Sequence, residues 1–239
     1  MTAKIACIVG TRPEVIKMAP LIRALRAARA FNVEVWCSGQ HRELLTPLAQ
    51  WFEIEFDRDL QVMSENQSLG ELTARLMRSF ETSLSASRPD LVIAQGDTTT
   101  VMCAALSAFY QRIAFAHVEA GLRTFDLYNP FPEEYNRVAV TRLAQLHFCP
   151  TQRAYDNVRA ERGEGTAAYI TGNTVIDALH FTTGKLDLTR VPRFTHDVLL
   201  TAHRRENLGA PLANICHAVL DLCRIFPELK VLYLSLIHI

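Results

Sequence analysis

The chain of 239 residues carries 25 Lys and Arg against 25 Asp and Glu, so its formal net charge at pH 7 is zero. Its global field therefore offers no attraction for nucleic acid or for an anionic membrane surface. With 49% hydrophobic residues, the chain can bury one complete core and part of a second, because domains commonly run to about 100–200 residues. The first apolar run, residues 4–10, is far shorter than the ~20 residues of a spanning helix, and no basic segment or cleavage site accompanies it. A cytoplasmic protein is predicted.

Short apolar runs alternate along the chain with longer segments of helical periodicity. This pattern is typical of β-α-β units and predicts an α/β fold, with a parallel sheet covered by helices on both faces. In chain order, the predicted strands of the first domain are 4–10, 33–39, 91–95, 113–118, 146–149 and 168–171. The predicted helices between them are 14–29, 69–87, 99–110, 133–144 and 152–162.

A stretch without clear periodicity, residues 182–196, is predicted to be a linker. It separates a first domain, residues 1–181, from a second run of the same kind, residues 197–239. That second run contains a predicted strand, a helix and a further strand at 197–201, 211–226 and 230–234.

The six cysteines lie within apolar runs, and none forms a Cys-x-x-Cys pair or a Cys/His cluster with zinc spacing. They are predicted to be buried free thiols, as in a protein of a reducing compartment, and no metal site is predicted.

Ligands of open parallel sheets bind outside the carboxyl ends of the strands. The polar side chains that follow predicted strands here are Arg12, Gln40, His41, Asp97, Glu119 and His203.

The segment Gly10-Thr-Arg-Pro-Glu14 joins the first strand to a helix, with Pro13 suited to the first helical position. It leaves Arg12 beside unpaired backbone N–H groups, which predicts a site for an anion of phosphate size. Lys17, one turn further on, either adds a second positive charge or forms a surface pair with Glu14.

Two carboxylates are predicted at neighbouring strand ends, an arrangement suited to acid/base chemistry. Asp97 follows the strand 91–95, although a helix N-cap would also explain an Asp there. Glu119 follows the strand 113–118, and period-two alternation predicts that His117 lies on the same side, where the two could also form a purely structural pair.

Two further segments are candidates. Glu133 opens a helix, where the helix dipole favours an acidic residue whatever the function. The dense polar run Thr201-Ala-His-Arg-Arg-Glu-Asn207 follows a strand directly, and such a run indicates a ligand.

Together these motifs resemble the non-hydrolysing UDP-N-acetylglucosamine 2-epimerases of bacterial type, from Lys4 to about Tyr233. The segments that carry the resemblance are GTRPEVIKMAPLIRAL, GQHRELL, GDTTTVM, HVEAGLRTFDLYNPFPEEYNR, ITGNTVIDAL and TAHRRENLGAPLANI. The resemblance implies two Rossmann-like domains of glycosyltransferase-B type, with the nucleotide sugar between them and a homodimer as the assembly. It places the enzyme in the supply of precursors for cell-surface polysaccharide, with no cofactor.

The family's site residues carry over by motif. The catalytic residues correspond to Asp97, Glu119, Glu133 and His203. The substrate-binding residues correspond to Arg12, which matches the arginine that contacts UDP, and to Lys17, Arg204 and Asn207. Gln40 and His41, together with Arg204, match positions linked in bacterial members to a second, activating UDP-N-acetylglucosamine molecule.

One departure from the family pattern follows Tyr233. Family members continue with a Pro-Val-His-x-Asn-Pro run and later an Asp-Ser-Gly-Gly segment that binds UDP, whereas this chain continues Leu-Ser-Leu-Ile-His-Ile. His238 does not align with the family's histidine. The second, UDP-binding domain is therefore expected to be incomplete, and the 239-residue chain is expected to be inactive by itself.

Two other functions stay open at this level. A hydrolysing epimerase, which releases UDP and free N-acetylmannosamine, would carry much the same carboxylates. A nucleotide-sugar-binding module without turnover would bind the substrate but would not exchange its C2 proton with solvent.

Overall fold

The computed structural model describes residues 2–39, 42–62, 64, 67–187, 189, 195–202 and 209–234. These residues form two compact units, Met1–Lys185 and Leu186–Ile239.

The first unit is an α/β unit with one parallel sheet. Its described strands are β1 (Ala3–Val9), β2 (Phe31–Cys37), β3 (Arg58–Asp59), β4 (Leu91–Gln95), β5 (Ala114–Val118), β6 (Leu146–Cys149) and β7 (Ala167–Ile170). Its described helices are α1 (Arg12–Ala27), α2 (Arg42–Trp51), α3 (Leu69–Ser87), α4 (Thr99–Tyr110), α5 (Glu133–Leu143), α6 (Gln152–Arg162) and α7 (Val175–Lys185). The strand order is β3-β2-β1-β4-β5-β6-β7, and all paired strands are parallel.

The predicted α/β class with a parallel sheet is confirmed. Each of the six strands predicted for the first domain is present, and so are the five predicted helices. The sequence prediction missed α2, β3 and α7. A proline interrupts the helical periodicity of α2, and β3 has only two residues, too few for a strand pattern. In α7, Gly184 and several β-branched residues lower the helix propensity of the segment. Residues 182–185, assigned above to the linker, are helical.

Helices cover both faces of this sheet, so its central strands are buried on both sides. On the first face, Ile8, Ala94 and Phe115 pack in one cluster with α3, α4 and α5. On the second face, Cys7, Ile93 and Ala116 pack in another cluster with α1, α2 and α7. Burial on both faces explains why these strands read as continuous apolar runs rather than as alternating ones.

Side-chain caps determine where α1 and α3 begin. The Thr11 side chain accepts from the backbone N–H of Glu14, and the Glu14 carboxylate accepts from the N–H of Thr11, which is a capping box. Ser68 and Glu71 form the same arrangement at α3. In α1, Pro13 lies within the first turn, where its missing N–H is not needed.

The second unit contains β8 (Val198–Leu200), α8 (Ala210–Ile225) and β9 (Val231–Tyr233), and its two described strands pair in parallel. All three elements were predicted. Within the described residues, α8 has no buried side chain, and Leu220 and Ile225 are exposed. Two short strands are too few to cover the apolar side of this helix.

The cysteines are all free, as predicted, but the prediction that all six are buried is wrong. Cys7, Cys37, Cys103 and Cys149 are buried, whereas Cys216 is exposed and Cys223 is half-buried. Both exceptions lie on α8, whose apolar side is uncovered. No helix in the described ranges is long and apolar enough to cross a membrane.

Candidate functional site

The candidate site lies at the carboxyl ends of β4 and β5. These strands are neighbours in the sheet, and Gln95 at the end of β4 pairs in register with Val118 at the end of β5. The residues that follow them, Asp97 and Glu119, therefore emerge at the same edge of the sheet.

Asp97 is an ion-paired carboxylate, and it is not the cap of the helix that follows. Arg137 Nη2 of α5 lies 2.7 Å from Asp97 Oδ2. The N-cap of α4 is Thr98, whose hydroxyl accepts from the backbone N–H of Val101. The alternative that Asp97 serves as a simple N-cap is therefore wrong.

The pKa of Asp97 is raised above its usual value. Burial is the largest cause, and the attraction of Arg137 opposes it. The negative charges of Glu133 and Glu119 raise the pKa further, whereas the positive charge of Lys17 lowers it. Because charges act on one another only at short range in a solvated protein, these groups form one cluster around Asp97.

Glu119 is surrounded by hydrogen-bond donors. Lys17 Nζ lies 2.8 Å from Oε1 and 2.7 Å from Oε2 of this carboxylate. Asn173 Nδ2 donates to Oε1 over 2.8 Å, and Gln95 Nε2 donates to Oε2. Lys17 is thus the ion-pair partner of Glu119, and the alternative of a surface pair with Glu14 is wrong.

The backbone at Glu119 overturns the predicted alternation with His117. Glu119 has φ +63°, in the left-handed region that residues other than glycine rarely adopt. Its side chain turns to Lys17 on the second face of the sheet, whereas His117 follows Phe115 on the first face and donates from Nε2 to Gly96 O over 2.7 Å. The two residues therefore lie on opposite sides, not on the same side.

His117 has a structural environment. It is fully buried, and this burial lowers its pKa to about 4, so the ring is neutral near pH 7. A neutral ring bound to a carbonyl group stabilises the turn after β4 and does not contact the carboxylates at the sheet edge.

The first turn of α5 supplies two carboxylates with different surroundings. Glu133 Oε2 is buried and has no hydrogen-bond partner among the described residues. Glu134 is fully buried, and its Oε1 accepts from the backbone N–H groups of Thr124 and Phe125. Glu134 thus holds the loop between β5 and α5. Its Oε2 also lacks a hydrogen bond among the described residues, but it lies 3.4 Å from Arg137 Nη1. Glu133 Oε2 has no such ion pair in the described part of the chain and can accept from a new partner.

The turn before α1 differs from the predicted anion site. The Glu14 carboxyl group accepts from Gly10 N over 2.6 Å and from Thr11 N over 2.8 Å, so an internal acidic side chain already occupies these donors. Burial raises the pKa of Glu14, and its hydrogen bonds oppose this rise. Its other oxygen accepts from the Thr98 hydroxyl over 2.6 Å, which ties this turn to the start of α4. Arg12 is half-buried and makes no hydrogen bond or ion pair within the described part of the chain. Its guanidinium group is therefore available for an anion, whereas the backbone N–H groups of Gly10 and Thr11 are already used.

Several predicted residues lie outside the described residues. They are Gln40, His41, His203, Arg204 and Asn207.

The structure adds residues to which the sequence reasoning gave no role. Arg137 pairs with Asp97, and Asn136 Nδ2 donates to the Asp97 carbonyl oxygen over 2.8 Å. Gln95 and Asn173 contact Glu119. Asn136 and Arg137 end the motif that contains Glu133, and Asn173 lies in the motif ITGNTVIDAL. These motifs could have drawn attention to the three residues. Their spacing alone could not show which carboxylate each residue would contact.

The cluster combines three carboxylates, Asp97, Glu119 and Glu133, with the cations Lys17 and Arg137. Carboxylates in such different surroundings can hold and release protons at different pH values, which suits acid/base chemistry. The cations can offset negative charge on a departing group.

Comparison with known proteins places the chain in a family. A family model described as UDP-N-acetylglucosamine 2-epimerase matches residues 23–236. The chain is 43% identical over 235 residues to the UDP-N-acetylglucosamine 2-epimerase of Neisseria meningitidis, and 41% identical over 242 residues to that of Escherichia coli K12. These alignments cover 94% and 96% of this chain but only 63% and 64% of the relatives, so the chain spans less than two thirds of their length.

Solved structures give the same result. The crystal structure of the Neisseria meningitidis UDP-GlcNAc 2-epimerase bound to UDP-GlcNAc matches with a TM-score of 0.89 and 40% identity, over 98% of this chain and 66% of that one. The Methanocaldococcus jannaschii enzyme in complex with UDP-GlcNAc and UDP matches with a TM-score of 0.80 and 32% identity, over 97% and 66% of the two chains. The predicted glycosyltransferase-B type of fold is confirmed, with part of the second domain present. The chain belongs to the UDP-N-acetylglucosamine 2-epimerase family.

Proposed function

We propose that the full-length enzyme that carries this chain interconverts UDP-N-acetylglucosamine and UDP-N-acetylmannosamine without hydrolysing them. The observation that carries this proposal is the cluster of Asp97, Glu119 and Glu133 with two cations at one edge of the sheet. Family membership supports the substrate, because a relative with 40% identity has been crystallised with UDP-GlcNAc bound.

The chemistry requires both an acid/base apparatus and an anion site. The C2 proton of the sugar has no adjacent carbonyl group, so its direct removal would present a prohibitive barrier. When the C1–O bond breaks and its electron pair leaves with UDP, positive character at C1 acidifies the C2 proton. A base then takes that proton, and 2-acetamidoglucal and UDP result. Addition of UDP to C1, with protonation of C2 from the other face, completes the epimerisation.

The predicted site residues divide these tasks. Asp97, Glu119 and Glu133 exchange protons with the sugar, and the raised pKa of Asp97 suits a group that must also donate. Arg12 and Lys17 offset the charge of the departing UDP, together with His203, Arg204 and Asn207 of the second domain. Gln40 and His41, with Arg204, bind an activating UDP-N-acetylglucosamine molecule.

Neither a redox cofactor nor a metal ion enters this scheme, because each step is a proton transfer or the cleavage or formation of a C–O bond. We further propose that the enzyme is a cytoplasmic homodimer that supplies precursors for cell-surface polysaccharide.

Solvent deuterium is expected at C2 of the nucleotide sugar recovered after turnover in deuterated water, because the proton removed exchanges with solvent before C2 is protonated again. Mass spectrometry and proton NMR of the recovered sugar measure this exchange. Turnover without deuterium at C2 would rule out the route. Release of free N-acetylmannosamine would instead indicate a hydrolysing epimerase, and binding without exchange would indicate a module without turnover.

Residues 1–239 alone are expected to be catalytically silent. The chain spans 63% of its Neisseria meningitidis relative, and the apolar side of α8 is uncovered in the described part of the second unit. A substrate site that lacks part of its lining loses both binding contacts and shielding from water.

This expectation is tested by assaying residues 1–239 beside residues 1–185 and the full-length relative from Neisseria meningitidis. Light scattering and thermal unfolding should show that 1–239 associates, because exposed apolar surface favours association, while 1–185 stays monomeric. Substantial epimerase activity of a monomeric 1–239 chain would show that the proposed two-domain site is wrong.

A further inference from the structure

We propose that Asn173 is a positioning residue that holds the Glu119 carboxylate in one orientation for proton transfer. This inference rests on the proposed function. Asn173 lies after β7, two strands away from β5 in the sheet, and is not part of the acid/base cluster. Its side chain nevertheless reaches Glu119, with 2.8 Å between Asn173 Nδ2 and Glu119 Oε1.

The Glu119 carboxylate is surrounded by hydrogen-bond donors. A carboxylate offers about four acceptor sites. Lys17 contacts both oxygens, Asn173 contacts Oε1 and Gln95 contacts Oε2, so four donor contacts surround the group. These contacts together fix the orientation of the carboxylate, and Asn173 supplies one of the two contacts to Oε1.

Asn173 and Gln95 differ in whether their amide groups are free to turn. An amide can turn by 180° and present its oxygen instead of its nitrogen. Gln95 Oε1 is buried without a partner among the described residues, so Gln95 could turn and accept from a protonated Glu119. Asn173 cannot turn without loss, because its Oδ1 accepts over 3.1 Å from the backbone N–H of Val175, the first residue of α7.

The backbone of Glu119 also depends on its surroundings. Glu119 has φ +63°, a strained conformation for a residue other than glycine, and neighbouring contacts must offset this strain. Donors from α1, from β4 and from the loop before α7 converge on its carboxylate. Since α7 itself packs against α1 through Ala178, Asn173 is held at a fixed position relative to Lys17.

The test substitutes Asn173→Asp in the full-length enzyme. Aspartate keeps an oxygen for the Val175 N–H, so α7 should still begin normally, but it replaces the donor to Glu119 with a negative charge. The stabilisation provided by a hydrogen bond to a charged group is large enough that losing this bond should lower kcat about 10–100-fold. KM should change little, and the acid limb of the pH–rate profile should move to higher pH because a second carboxylate favours protonation of Glu119.

Two further variants make the outcome decisive. Asn32→Asp makes the same change in charge at an exposed position near the start of β2 and should leave kcat and the pH profile unaltered. Asn173→Ser keeps a hydroxyl group for the Val175 N–H, but its side chain is too short to reach Glu119. It should therefore lower kcat, but it should move the acid limb of the pH–rate profile less than Asn173→Asp does. Unaltered kcat and an unaltered pH profile in Asn173→Asp would overturn the inference. A lower melting temperature with no movement of the acid limb would also overturn it, by showing a purely structural role.

A readout without turnover separates this inference from the proposed function. In the full-length enzyme labelled with ¹³C at the glutamate carboxyl carbon, the resonance assigned by Glu119→Gln should titrate at higher pH in Asn173→Asp than in the unaltered enzyme. If the full-length enzyme showed no C2 exchange but this difference were present, the proposed function would fail and the positioning role would stand. An identical titration in both chains would refute the positioning role directly.

Discussion

Asp97→Asn and Glu119→Gln are each expected to lower kcat of the full-length enzyme by about 10²–10⁴-fold, the usual effect of removing a positioned acid or base. Both substitutions keep the size of the side chain but remove its ability to exchange a proton. Burial raises the pKa of Asp97, so its loss removes a carboxyl group suited to donate a proton as well as to accept one. Steady-state kinetics with UDP-N-acetylglucosamine measure the effect.

Folding should survive both substitutions. In Asp97→Asn, Arg137 keeps Glu134 as an ion-pair partner, with 3.4 Å between Nη1 and Oε2. The matched control is Asp90→Asn, which makes the same change at an exposed residue directly before the first residue of β4. There the carboxylate accepts from Lys4 N. This control should retain its kcat. If Asp97→Asn behaved like the control, Asp97 would have only its structural ion pair with Arg137.

The position of the carboxylates could be predicted because it follows from the order of the elements. Parallel strands bring their carboxyl ends to one edge, so Asp97 and Glu119 had to emerge together once β4 and β5 were identified as neighbours. Glu133 joined them through the resemblance. The structure confirms that these three side chains interact, since both glutamates raise the pKa of Asp97.

The partners of these carboxylates could not be predicted, because each depends on a side chain from a distant element. Glu119 and Asn173 are 54 positions apart, and Lys17 and Glu119 are 102 apart. The positive φ of Glu119 also breaks the period-two rule, which assumes extended backbone. This explains why the predicted pairing with His117 is wrong.

The turn before α1 shows a different limit. Thr11 and Glu14 have the spacing of a capping box, a local signal that could have been used at the level of sequence. The prediction of an anion site at the same turn left out the carboxyl group of Glu14, which itself accepts from the N–H groups of Gly10 and Thr11. Because Glu14 also binds Thr98, this internal carboxylate helps to fix the spacing between the turn that carries Arg12 and the turn that carries Asp97.

Gly121→Ala is expected to destabilise the first unit more strongly than an ordinary glycine substitution. Gly121 has φ +86°, and a Cβ atom built on it would lie 2.0 Å from the backbone oxygen of Ala154 in α6. Either the loop after β5 or the helix must move. Strain and overpacking of this kind together cost about 2–5 kcal/mol in the free energy of unfolding. Thermal and denaturant unfolding of residues 1–185 measure this loss.

Gly163→Ala is the matched control, since Gly163 lies at the end of the same helix with φ +91° but has nothing within 4 Å of the added Cβ. Gly163→Ala introduces backbone strain without the collision. The difference in the free energy of unfolding between the two variants therefore reports on the contact with Ala154. Equal destabilisation would show that the collision is relieved at no cost in free energy.

Gly121 also follows Glu119 by two residues, and Asn157 Nδ2 donates to the carbonyl oxygen of Gly121 over 2.9 Å. A loop displaced from α6 should therefore move Glu119 away from its donors, and Gly121→Ala should lower kcat in the full-length enzyme while Gly163→Ala should not.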